Sequence, residues 1–241
     1  MDAYGGQVRF SISLPQRDTD GFDDSGFKSY VVRAEELGFE GGWTLEQTIG
    51  PAPLIAPLEL LSYAAACTTR LRLGVAVLIT SLHDPLQLAS TVTAVDRLSH
   101  GRLDLGVAPG GGFRKFEAFG VEKSTFISSF TEAVKTVRQE LGKQGKDPAG
   151  FTIGKRVYLM VDDDADRARE RVLAGLHRIY GEMPGIEAVP VSGTAIDVVR
   201  GVRKVIDAGA EMVLLNPVGE HVAEDRDQME RLAADVIPQL S

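Results

Sequence analysis

Short apolar runs and amphipathic segments take turns along this chain, which is the sequence form of a parallel sheet or barrel wrapped by helices. The apolar runs Arg9 to Leu14, Gly41 to Thr44, Leu71 to Ile79, Arg102 to Val107, Val157 to Val161 and Met212 to Leu215 read as six strands. Between them the spacing predicts helices near residues 25–37, 57–67, 85–98, 124–140, 164–179 and 194–208, with a last one near 221–235. Asp84-Pro85 places a cap before a first-turn proline, and Asp163-Asp164 places negative charge at a helix start. Gly38, Gly101 and Gly209 each follow a helical run, where a left-handed stop is expected. Ser192-Gly193-Thr194 reads as an N-cap.

With 241 residues and 44% hydrophobic content the chain buries a full-sized core, so a single domain over 1–241 is expected. A net charge of −8 argues against a nucleic-acid surface, since neutralising phosphates needs clustered Lys and Arg. Cys67 is the only cysteine, so no internal disulfide forms, and it reads as a small core thiol. The start, MDAYGGQVRF, lacks the basic and apolar parts of a signal peptide, and no run reaches membrane-spanning length, so a cytoplasmic location is expected. His83, His100, His177 and His221 are too scattered for a short metal-ligand spacing, so no metal is expected. The run Pro109-Gly110-Gly111-Gly112 permits close backbone approach but lacks both GxGxxG and a GK[ST] ending, so neither a Rossmann nor a P-loop site is supported.

The stretch TRLRLGVAVLITSLHDPLQLASTVTAVDRLSHGRLDLGVAPGGGFRKFEAFG, Thr69 to Gly120, resembles the signature region of the luciferase-like monooxygenase superfamily. The resemblance covers residues 8–138 and, more loosely, 151–240. It implies a TIM-type (β/α)8 barrel, here incomplete, with about six to seven strands, because QELGKQGKDPAG at 139–150 stands where the family carries a far longer interval. Either loops cover the gap of the incomplete barrel or a partner covers the open edge of the sheet, and of the two the partner, hence a homodimer, is expected. The resemblance further implies a flavin-type cofactor, coenzyme F420 ahead of FMN. It also implies a non-proline cis peptide at Ala76–Val77, forming a bulge that supports one face of the cofactor ring.

On a barrel, chemistry stands at the C-terminal ends of the strands. Gln16 follows the first strand; Trp43, Thr44, Glu46 and Gln47 the second; Thr80, Ser81 and His83 the third; Gly110 to Gly112, Phe113 and Arg114 the fourth; and Asn216 the last. The expected cofactor-binding set is Gln16, Trp43, Ala76, Val77, Thr80, Ala108, Gly110 and Gly111, and the expected catalytic set is Glu46, Gln47 and His83. Trp43 either flanks the ring or plugs the barrel. Glu46-Gln47 occupies the place of an Asp-His pair in many F420-dependent relatives, and a glutamine does not serve as a general acid or base. Gly111 stands where the sugar-phosphate dehydrogenase branch has a glutamate. Glu46 either acts chemically or is a solvated carboxylate, and His83 either serves a small organic substrate or braces its loop. The run around Asp96 and Arg102 reads as architecture. Two functions follow as expectations: hydride transfer or monooxygenation on a small organic substrate, or a flavin-binding or regulatory protein without catalysis.

Overall fold

The computed structural model describes residues 8–17, 21–47, 54–108, 142–143, 154–182, 184–207 and 210–240. Seven strands form one sheet: β1 (Arg9–Ser13), β2 (Gly41–Thr44), β3 (Arg72–Ile79), β4 (Leu103–Ala108), β5 (Gly154–Val161), β6 (Val191–Gly193) and β7 (Met212–Pro217). The helices are α1 (Asp24–Glu36), α2 (Pro57–Cys67), α3 (Pro85–Leu98), α4 (Ala165–Tyr180), α5 (Ala195–Asp207) and α6 (Val222–Arg231), the last continuing through a π-turn at Leu232–Val236. The expected helix near 124–140, the stop at Gly209 and most of 139–150 lie outside the described residues.

Among the described residues all strand pairs are parallel, in the order β4-β3-β2-β1-β7-β5-β6, and the sheet does not close. The α/β class and the incomplete barrel are therefore as expected. The seventh strand falls within the expected six to seven and adds a location to the six apolar runs: Val191–Gly193 pairs with Leu159 to Val161, although its last two residues read as a helix cap. Three residues are too few for a periodic signal, and at the start of α5 the hydrogen bonds run opposite to an N-cap, from Thr194 to the helix side chain. Asp197 accepts hydrogen bonds from the backbone N–H of Thr194 and from its hydroxyl at 2.6 Å.

Alternation along the strands separates two faces. Phe10 and Ile12 of β1, Leu73 and Val75 of β3, Val157 and Leu159 of β5, and Val213 and Leu215 of β7 point to the outer face. There they pack with α1, α2, α3, α5 and the C-terminal turns in one continuous core. The opposite face carries Tyr158 and Met160, and against these α4 lays Ala168, Val172 and Leu176. One helix thus lies on the face a closed barrel keeps inside. Handedness explains it: β1 through β4, and β6 to β7, advance across the sheet in one direction, whereas β5 to β6 runs the other way. A right-handed crossover then lands on the other face.

Local signals act as anticipated at the helix starts. Asp84 accepts from the N–H groups of Leu86 and Gln87, and Asp164 from those of Asp166 and Arg167. Gly38 and Gly101 both have positive φ, +80° and +82°. Arg102 donates to the carbonyls of Ser99, Leu71, Ala65 and Thr68 and to the Thr68 hydroxyl, which makes it a buried clamp between α2, α3 and β4.

Candidate functional site

The loops after β1, β2 and β3 meet at the C-terminal edge of the sheet. Gln16 fixes two of them to each other. Its Nε2 donates to the carbonyls of Leu45 and Ile55, at 3.0 and 3.1 Å, and its Oε1 accepts from the Leu45 N–H at 2.6 Å. The amide is spent on backbone. Thr80 is likewise buried, its hydroxyl donating to the carbonyl of Ala108 across the β3–β4 pair at 3.4 Å.

Trp43 stands on the inner face beside two residues without side chains. A Cβ on Gly74, its register partner, would fall 2.4 Å from the indole ring, and one on Gly41 would fall 3.0 Å from its Nε1. The indole therefore fills the space that the glycines leave, which is the plug of the two sequence alternatives, while its outer edge still lines a cleft. That cleft, about 50 Å³, is bordered by Trp43, Leu45, Arg156, Ile179, Asn216 and Asp225.

Ala76–Val77 is cis, and the β3–β4 register shifts between Val75 and Leu78. In a strand that is otherwise well covered, Val77 is 40% exposed, with its side chain beside Gly106. A Cβ on Gly106 would approach the Val75 carbonyl oxygen to 2.7 Å, so this part of β4 carries no side chain that would cover the bulge.

Glu46 is the hinge of the arrangement. Its backbone N–H donates to the Val77 carbonyl at 3.3 Å; its buried carboxylate accepts from the Ile79 N–H at 2.5 Å and lies 2.6 Å from Nε2 of His83. The His83 N–H in turn closes the turn Thr80–Leu82 by donating to the Thr80 carbonyl. The structure thus joins Glu46 and His83, and it rules out the solvated-carboxylate alternative for Glu46. Gln47 points elsewhere: its Nε2 donates to the Ile179 carbonyl near the end of α4 at 3.1 Å, and its buried Oε1 has no hydrogen-bond partner among the described residues. Gly110, Gly111, Gly112, Phe113 and Arg114 lie outside the described residues.

Several polar residues at the cleft escape a reading by strand ends. Arg17 donates to Asp225 at 2.5 Å, and the Gly219 N–H also donates to this carboxylate. Burial pushes the Asp225 carboxyl up to about 6, outweighing the opposing pull of Arg17. Arg156 donates to the Tyr158 hydroxyl at 3.2 Å, and Tyr158 shares a short hydrogen bond with Tyr180. The alternation of Arg156, Tyr158 and Met160 against Val157, Leu159 and Val161 is the signal that finds the first two. Nothing around Asp225 marks it.

Comparisons with known proteins agree with this architecture. The model of the luciferase-like monooxygenase family matches residues 8–143, more than half of the chain. A protein of Sinorhizobium fredii called y4vJ, uncharacterized, is 32% identical over 105 residues, 43% of this chain and 30% of that protein. The chain thus spans under a third of that relative's length. Among solved structures, monooxygenase RslO1 from Streptomyces bottropensis superposes with a TM-score of 0.74 at 16% identity, covering 97% of this chain and 100% of that one. An F420-dependent secondary alcohol dehydrogenase in complex with an F420-acetone adduct gives 0.74 at 14% identity, covering 98% and 99%. At such identities the likeness speaks to the fold.

Proposed function

The chain belongs to the luciferase-like monooxygenase family, and on that premise we propose that it is an oxidoreductase taking a flavin-type cofactor, coenzyme F420 ahead of FMN, and acting on a small organic substrate. The observation that carries this reading is the open bulge: Val77, 40% exposed beside the bare backbone of Gly106, is an apolar shelf of the kind a flat ring system covers. The cleft beside Trp43 is too small by comparison: pockets for ligands of this size run to roughly 300–1,000 Å³, against about 50 Å³ here. The shelf over β3 and β4 is therefore the seat we favour for the ring.

In this reading Ala76 and Val77 support the ring, and Trp43 keeps water out from below. Gln16 and Thr80 hold the loops, and Ala108 ends the shelf at the last residue of β4. His83, held by Glu46, takes or returns a proton at its free ring nitrogen. When bound, the cofactor supplies the hydride chemistry, or with FMN the activation of oxygen. A second reading, a flavin-binding or regulatory protein without turnover, draws on one observation: the proton-handling histidine of the family's Asp-His pair is a glutamine here, tied to α4.

Thermal unfolding of the full chain with F420, with FMN and with neither tests the proposal, since a ligand of the folded state raises its stability by RT ln(1 + [L]/Kd). At a cofactor concentration 100-fold above Kd the gain is about 2.7 kcal/mol, and the expected result is a higher Tm with F420 and a smaller rise with FMN. No rise with either cofactor would overturn the cofactor assignment.

A further inference from the structure

The Glu46–His83 pair opens onto a second space, away from the cleft beside Trp43. Between the first turns of α2 and α3 lies a cavity of about 240 Å³, walled by Pro57, Leu58, Leu78, Leu82 and Leu88, with His83 among its lining residues. The imidazole is 31% exposed. One ring nitrogen is engaged, Nε2 at 2.6 Å from Glu46, and the other makes no hydrogen bond among the described residues.

The chemistry of Glu46 decides what that free nitrogen is. The carboxylate is buried, its second oxygen already accepts from the Ile79 N–H, and an ionised carboxylate only accepts. The proton between Glu46 and His83 therefore sits on Nε2. In the neutral ring this leaves the lone pair on Nδ1, an acceptor at the wall of a space that polar side chains line on one part and Pro57 and four leucines on the other. Three carboxylates, Glu46, Glu59 and Asp84, border the cavity and disfavour an anion. Of these, Glu46 is satisfied by its two donors and Asp84 by the first N–H groups of α3, so neither calls for a cation.

We propose that this cavity is a binding site for a small uncharged molecule with an apolar body and one hydroxyl, which donates to Nδ1 of His83 while the carbon skeleton packs on the leucines, and that Glu46 is the positioning residue that makes His83 an acceptor. The site stands independently of the cofactor reading, because the binding needs no cofactor.

The test is ring-nitrogen NMR of the full chain labelled with ¹⁵N-histidine, with cyclohexanol as probe and cyclohexanone, cyclohexanecarboxylate and cyclohexylammonium as comparisons. The expected spectrum shows His83 with its proton on Nε2. Cyclohexanol shifts Nδ1 of His83 saturably and leaves His177 and His221 unmoved. Cyclohexanone, which only accepts, binds about tenfold more weakly, the worth of one hydrogen bond. In Glu46→Gln the amide donates to Nε2 and moves the ring proton to Nδ1, so the preference for alcohol over ketone disappears. A proton found on Nδ1 in the unaltered protein overturns the proposal whether or not the variant folds. So does an equal response to all four probes, no saturable shift with cyclohexanol, or an alcohol preference that survives in Glu46→Gln.

Discussion

Asp225 is a carboxylate whose burial outweighs its partner. Its folded value of about 6 lies above the ordinary 3.8, so its contribution to stability is full below about pH 4 and is lost as the pH rises through 6. Asp225→Asn should remove that loss. Between pH 4 and pH 7 the unfolding free energy of the native protein is expected to fall by about 3 kcal/mol relative to the variant, from the shift of about two pH units; urea titrations of both proteins across that range check it, and parallel curves would refute it. Gly74 is a second single-residue constraint. A methyl group there meets the Trp43 ring at 2.4 Å, so Gly74→Ala should cost about 2–3 kcal/mol. Trp43 is the only tryptophan, so the displacement reads directly as a shift in fluorescence emission. The sequence marks these positions unevenly. Trp43 and Glu46 are visible because one stands near the end of β2 and the other just beyond it, and the cis bond follows from the resemblance to the family. The pairing of Glu46 with His83 is not legible, because it joins two loops that come together only when β2 and β3 lie side by side.

At the scale of elements, boundaries follow from caps and periodicity, and placement follows from connection handedness. The amphipathic pattern of α4 shows that Ala168, Val172 and Leu176 are buried, yet it is silent on which face of the sheet buries them. That becomes readable once β5 is known to lie between β7 and β6. The three-residue β6 is missed for a different reason: its serine and glycine also suit a helix cap, and only its pairing with β5 distinguishes the two. Docking of α4 depends on Gly175, where a Cβ would come within 2.4 Å of the Val218 carbonyl oxygen. Gly175→Ala should lift the helix and loosen the Gln47–Ile179 bond near its end. At about 1–3 kcal/mol for such overpacking, amide exchange in α4 should rise roughly tenfold to a hundredfold while α5 is unaffected; unchanged protection of α4 would refute the dependence.

At the scale of the molecule, the sheet of the described residues ends at β4 on one side and β6 on the other, and strand edges left unpaired invite a partner. Our expectation of a homodimer predicts a mass twice that of the chain in sedimentation equilibrium at micromolar concentration; a monomer there would refute it. The position of α4 has a consequence for lengthening the chain. In a barrel built by going round once, the strand next to β7 would be β6, and extra βα units spliced in at 144–153 would extend the series until it met β4. Here β5 holds that place, and Val172 and Leu176 fill the inner face beside it. A longer variant could not become a closed ring by addition alone: β5 and β6 would have to trade neighbours and α4 would have to leave the interior.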